Sequence, residues 1–333
     1  MRQAVMIAPG KIELPDVPKP VPEAKEVLLR IARIGVCGSD IHVFHGTHPY
    51  TSYPVVQGHE FSAVIDGLGP EVTGLVPGMK VTAMPQIVCG QCKPCLRGDY
   101  HICDHLKVQG FQAPGCAGEW FVTKADKVVP LPEAFSFEQG AMVEPAAVAV
   151  HAVARAGDVA GRNVAVLGAG PIGNLVAQVA RAMGAEVLLT DLSDFRLELG
   201  RHCGIRYTSN ARCETLTEAA VRPFGNAGID VVFECVGAEV TINDAINAIT
   251  KGGLIVVVGV FGEKPRVDLG LVQDRELRLV GTLMYRREDY QRAVELIADQ
   301  RILTEPLDTG HFPLEDYAAA YAFIEQRSDR SMK

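Results

Sequence analysis

The sequence predicts an α/β protein of two domains, one β-rich and one a parallel sheet wound on both sides by helices. Three observations carry this reading. The chain has 333 residues, more than one ordinary small domain holds and suited to two. Its first third is cut by glycine and proline into short β-branched runs. From residue 163 onward, strand-like and helix-like runs alternate, the pattern of a doubly wound parallel sheet.

Taken in order, residues 27–34, 64–68, 80–83 and 120–123 read as strands, with Gly35, Gly67, Gly69, Pro77 and Gly78 as punctuation. Such runs make an irregular, barrel-like β domain. Residues 138–156 turn to alanine and valine and read as a linking helix. Residues 163–167 form an apolar run ending in Gly168, with helical spacing through Met183. Further strands are expected at 186–190, 229–233 and 254–258, with helical stretches between them. The tail, about 288–326, returns to helix and loop, and no internal repeat or low-complexity segment occurs.

Hydrophobic residues make up 48% and charged residues 22% of the chain, the balance of a packed globule. A net charge of −8 argues against nucleic acid or an anionic membrane as the main partner, since both need basic surface. No run approaches the ~20 apolar residues of a membrane span, and the N-terminus lacks the apolar core of a signal peptide. A cytoplasmic location is therefore expected. Nine cysteines are many for a compartment where disulfides rarely persist, and four of them cluster between Cys89 and Cys103. Clustering in a reducing compartment points to metal.

Gly168-Ala169-Gly170-Pro171-Ile172-Gly173 gives G-x-G-x-x-G at the end of a strand and the start of a helix. The glycines permit a tight turn, close approach of backbone to pyrophosphate and close helix packing, and the helix N-terminus offers N–H groups to phosphate. Asp191 ends the next strand about twenty residues on, where an acid binds the ribose hydroxyls. A carboxylate there repels a 2′-phosphate, so NAD is expected rather than NADP. Arg196 suits the edge of the ribose or adenine, although a cation could also accept that phosphate. Val260, just past the strand run 254–258, joins the expected cofactor set.

Cys89, Cys92, Cys95 and Cys103 form C-x2-C-x2-C-x7-C. Four thiolates in one short loop can close a tetrahedron around zinc and leave no position for substrate. An iron–sulfur cluster or redox disulfides are the competing readings. A second set is dispersed: Cys37 in G-V-C-G-S-D-I-H, His59 and Glu60 after Gly58, and Glu144 in V-E-P. One thiolate, one imidazole and one or two carboxylates suit an open catalytic zinc, if folding brings them together.

These residues together resemble the zinc-containing medium-chain alcohol dehydrogenase family over nearly the whole chain. The stretch from Gly58-His59-Glu60 through Gly69 and Val72 is similar to that family's zinc signature, with Ala63 where the family usually has glycine. Val143-Glu144-Pro145 with His151 looks like the sorbitol, threonine and galactitol-phosphate dehydrogenase branch. The resemblance implies a GroES-like catalytic domain from residues 1–146 and 286–333, carrying a structural-zinc lobe at about 86–106, and a Rossmann domain at 147–285. It implies two zinc ions per chain. Cys37 and His59 are ligands of the catalytic one, with Glu60 or Glu144 completing the shell, and the four clustered cysteines hold the structural one.

By the same resemblance, zinc acidifies a bound alcohol, hydride passes to NAD, and Ser39 then His42 carry the proton outward. His45, His48 and Tyr50, with Trp120, are candidates for the substrate pocket, and a polar rim of this kind suits a polyol or sugar-derived secondary alcohol. Threonine- or cyclic-polyol-type activity is the nearest alternative. A zinc-free, quinone reductase-like or regulatory nucleotide-binding protein is the remote one. Relatives continue past a Ser-Met-Lys element into a final strand, which a sequence ending at Lys333 lacks. A homodimer or homotetramer is expected, joined at the sheet edge around 277–283.

Overall fold

The computed structural model describes residues 1–327 and 330–333. The β-rich part centres on a five-stranded antiparallel sheet of Glu26–Gly35, Glu60–Leu68, Lys80–Ala83, Trp120–Lys124 and Val128–Pro130. Strand Glu26–Gly35 lies between Trp120–Lys124 and Glu60–Leu68. Its inward residues Val27 and Leu29 pack with Phe61, Ala63, Ile65, Val81 and Phe121 in one buried cluster. Ala63, the departure from the family signature, is fully buried in that core, where alternation along the strand points it inward.

The second sheet has six strands, all parallel. In spatial order they are Tyr207–Asn210, Glu186–Asp191, Asn163–Leu167, Ile229–Glu234, Ile249–Val257 and Arg278–Gly281. Numbered along the chain this order is 3-2-1-4-5-6, the arrangement of a dinucleotide-binding sheet. Its central strands are buried on both faces and therefore read as continuous apolar runs. One face packs against helices Val143–Arg155, Pro171–Ala182 and Arg287–Ala298, the other against Leu216–Phe224 and Glu239–Ala248. The strand order reverses between Asn163–Leu167 and Ile229–Glu234, so the crevice opens beyond their carboxyl ends.

Most strand expectations stand within a residue or two, although the strand read at 64–68 begins four residues earlier, at Glu60, and three further features differ. The linking segment is two helices, Phe137–Ala141 and Val143–Arg155, divided at Met142. Ser136 and Gln139 form a capping box that starts the first of these, a signal the alanine-rich composition hides. Strand Ile249–Val257 begins five residues earlier than read, before a Gly252-Gly253 pair that masks it. Strand Tyr207–Asn210, Y-T-S-N, has no apolar run to announce it, because it is an edge strand. No helix of the described residues is long and apolar enough to cross a membrane.

Candidate active site

The antiparallel register of the first sheet joins the dispersed residues. Gly35 pairs with Glu60, so Cys37, two residues beyond the end of one strand, meets His59 and Glu60 at the start of the other. A Cβ at position 35 would lie 2.5 Å from Glu60 Oε2, so glycine there leaves the Glu60 carboxylate its place. Gly58 adopts φ +90°, a left-handed conformation that glycine takes without steric cost. Ligand atoms of Cys37, His59 and Glu60 all lie within 4.8 Å of one another. Glu144 lies outside that group. It stands in the first turn of helix Val143–Arg155, and its carboxylate accepts a hydrogen bond from the Tyr285 hydroxyl.

This cluster is buried and highly charged. Glu60 is ion-paired with the buried Lys333 ammonium. Burial opposes a charge on Lys333, yet Glu60 together with Cys37 and Glu144 holds the ammonium above its usual pKa. Burial likewise works against His59, but Asp40 and Cys37 outweigh it and raise its pKa well above normal. Glu144 is pushed up to about 7 by burial, with His59 pulling the other way. His59 Nδ1 and Glu60 Oε1 are buried without a hydrogen-bond partner. A thiol, an imidazole and a carboxylate with an unpartnered oxygen are the donor set of an open zinc site, so the residues fit that metal.

The other sequence-named residues surround this point. Ser39, half-buried, and His42 lie on the helix Gly38–Phe44 that Cys37 caps. His42 and Cys37 line a cavity of about 1450 Å³, which also touches Gly170, Pro171, Ile172, Gly173 and Arg196. One space therefore runs from the cluster to the glycine turn. His48 stacks on Phe111, with ring centroids 4.8 Å apart, and Phe111 in turn lies against His59. His45 instead bonds Glu325 at 2.6 Å, and Tyr50 is 76% exposed. Trp120 lines the cavity while its indole N–H donates to Asp66.

At the glycine turn, Gly168 has φ +95°, and a Cβ on Gly173 would fall 1.8 Å from the Gly168 carbonyl oxygen. Gly170 meets nothing, so its missing side chain leaves open space above the helix N-terminus. Asp191 accepts the Ala169 and Ser193 amides at 2.7 and 2.8 Å, and each oxygen keeps lone pairs for further donors. Val260 is 74% exposed and does not line the cavity.

The four clustered cysteines offer sulfur atoms within 4.8 Å of one another, and none is in a disulfide. Backbone amides of Cys89, Cys92, Asp104 and His105 donate to sulfurs of the set at 3.3 to 3.4 Å. Amides from Gln91 and Cys92 draw the Cys89 thiol down to about 6, while burial and its neighbours push Cys95 up. Several thiolates so close repel one another unless a cation sits among them, which favours metal over a redox pair.

Sequence reasoning missed three participants. Asp40 stands in the quoted C-G-S-D stretch and is buried against His59; an acid in the first turn of a helix reads as an ordinary cap. Tyr285 and Lys333 carry no local signal, because each meets its glutamate 141 and 273 residues away.

Comparison with known proteins agrees with this geometry. The family model for an alcohol dehydrogenase GroES-like domain matches residues 23–133, and that for a zinc-binding dehydrogenase matches residues 171–299. The chain is 37% identical over 305 residues to 2-dehydro-3-deoxy-L-galactonate 5-dehydrogenase of Pseudoalteromonas atlantica, covering 91% of this chain and 89% of that protein. It is 34% identical over 322 residues to L-threonine 3-dehydrogenase of Legionella pneumophila, covering 95% and 94%. A crystal structure described as a zinc-binding dehydrogenase from Sinorhizobium meliloti 1021, bound to NADP, superposes with a TM-score of 0.90 at 30% identity, covering 96% and 95%.

Proposed function

We propose, from the premise that the chain belongs to the zinc-containing medium-chain alcohol dehydrogenase family, that it interconverts a secondary alcohol of a polyol or sugar-derived substrate and its ketone, with NAD as hydride acceptor. Family membership makes it an oxidoreductase acting between alcohol and ketone. The observation that carries the rest is the convergence of Cys37, His59 and Glu60 within 4.8 Å, beside a cavity that reaches the Gly168–Gly173 turn.

Cys37 and His59 would hold the catalytic zinc with Glu60, and Glu144 would be the carboxylate able to take its place. Cys89, Cys92, Cys95 and Cys103 would hold the structural one. A zinc ion in the first set supplies the Lewis acidity that lowers an alcohol's pKa, and NAD takes up the hydride. Ser39 receives the alcohol proton on the first turn of its helix, and His42, which lines the cavity, passes it outward. Phe111 packs between His48 and His59, and none of the three lines the cavity. Gly168, Gly170 and Gly173 admit the pyrophosphate, and Asp191 takes the ribose hydroxyls, which favours NAD; Arg196 borders the same space.

A substrate screen over polyols, aldonates and threonine, read as NADH absorbance and paired with metal analysis, tests this. Oxidation of a polyhydroxylated substrate with two zinc ions per chain supports the reading. Threonine as the best substrate would move it to the second relative's activity. A preference for NADP would overturn the cofactor assignment. The edge strand Arg278–Gly281, with Leu279 and Leu283 exposed beside it, is the proposed contact of a homodimer or homotetramer, and a monomeric mass in solution would remove it.

A further inference from the structure

Behind the Cys37–His59–Glu60 group runs a line of buried polar side chains with no part in the chemistry just described. Asp40 is 1% exposed. Its Oδ2 accepts the Cys37 amide at 2.9 Å, and its Oδ1 lies 3.7 Å from His59 Nδ1. Gln57, two residues before His59 and 2% exposed, donates through Nε2 to both the Asp40 carbonyl and Asp40 Oδ1, each at 3.2 Å. Its Oε1 accepts the Tyr321 hydroxyl at 2.8 Å. Tyr321 is fully buried on helix Tyr317–Gln326.

We propose that Gln57 and Tyr321 are positioning residues for the metal ligand His59, acting through Asp40. This rests on the reading of His59 as a zinc ligand. An amide side chain can be turned over, exchanging its donor and acceptor faces. Here both groups of Asp40 that face Gln57 are acceptors, so only the NH2 face fits them, and the Tyr321 phenol donates to the face left over. The Asp40 carboxylate is then held at both oxygens and cannot swing away. Oδ1, 3.7 Å from His59 Nδ1, is the acceptor nearest that nitrogen; a proton held there on its side of the ring would leave Nε2 for the metal. The C-terminal helix, which lines the cavity through Tyr317, Ala320, Phe323 and Ile324, thus also reaches the metal ligand from behind through three side chains.

The test measures zinc release to a chelator from the zinc-loaded protein, with the four-cysteine site as an internal control. Removing a direct partner of a metal ligand costs ~10–100-fold in affinity. Asp40→Asn is expected in that range, and Gln57→Leu and Tyr321→Phe at about 3- to 10-fold faster release, one link further out. Release from the cysteine site stays at the wild-type rate in all three.

Gln57→Leu also strands the buried Tyr321 hydroxyl and lowers the melting temperature. The double variant Gln57→Leu/Tyr321→Phe relieves that loss but should release zinc as fast as Gln57→Leu alone, because Tyr321 acts only through Gln57. Wild-type release rates in both single variants overturn the inference, as does a double variant whose release recovers together with its melting temperature. His59→Ala separates the two levels. If it keeps a full complement of zinc, the zinc-ligand reading itself fails. If it loses one ion while Gln57→Leu and Tyr321→Phe change nothing, only the positioning role fails.

Discussion

Two glycines of one turn should respond to the same substitution in opposite ways. A Cβ on Gly173 would stand 1.8 Å from the Gly168 carbonyl oxygen, over an ångström inside contact, and the neighbour is backbone that cannot rotate away. Overpacking of this kind costs about 1–3 kcal/mol. In a domain of this size each kcal/mol lowers the melting temperature by roughly 2–4 °C, so Gly173→Ala should melt about 2–12 °C lower. Gly170 has φ −62° and ψ −179°, which alanine adopts freely, and nothing lies within 4 Å of its Cβ position. Gly170→Ala should therefore hold its melting temperature or gain up to about 1 kcal/mol from a stiffer unfolded chain. Its new methyl nonetheless occupies the space left for pyrophosphate and should weaken NAD binding by about tenfold or more, the equivalent of ~1.4 kcal/mol. Differential scanning fluorimetry and calorimetric titration of NAD read the two quantities separately. Wild-type affinity in Gly170→Ala would show that this turn does not cradle the cofactor, whatever Gly173→Ala does.

Asp191→Ser removes the carboxylate that favours NAD and leaves the Ala169 and Ser193 amides a shorter acceptor; the ratio of kcat/KM for NADP to that for NAD should rise at least tenfold, and an unchanged ratio would reassign the selectivity. Ser39→Ala should lower kcat while both zinc ions stay bound, so equal turnover removes Ser39 from the proton path. Cys103→Ser takes one thiol from a set that interlocks through sulfur contacts and amide bonds; elemental analysis should find one zinc fewer, and a full complement would point to another site for the second ion. Glu214 is drawn down to about 2, first by Arg222 and then by Ser209. Its folded pKa is depressed, so its contribution to stability is present above about pH 4.5 and is lost as pH falls through about 2. Melting temperatures of Glu214→Gln should converge on wild type over that acid range, and a constant gap down to pH 2 contradicts the assignment.

Much of this architecture was legible in local pattern. The strand Asn163–Leu167 followed by G-x-G-x-x-G needs only neighbouring residues to specify it, because turn geometry and helix start are short-range properties. The same holds for the cysteine quartet, whose four sulfurs lie within fifteen residues of chain. Strand Tyr207–Asn210 was harder: at one edge of the sheet, it lacks the continuous apolar run of strands buried on both faces.

The dispersed site divides along the same line. Cys37, His59, Glu60 and Glu144 stood out as residue types able to bind zinc, and family resemblance grouped them, but the sequence held no distance between them. Only the pairing of Gly35 with Glu60 put thiol, imidazole and carboxylate together. Only packing showed that Glu144 is held by Tyr285 and Glu60 by Lys333, or that Gln57 and Tyr321 stand behind Asp40. Side chains displayed on a turn or a helix end follow from the order of nearby residues. Which of them share a buried charge depends on strand register and helix docking, set by contacts from 25 to 273 residues apart.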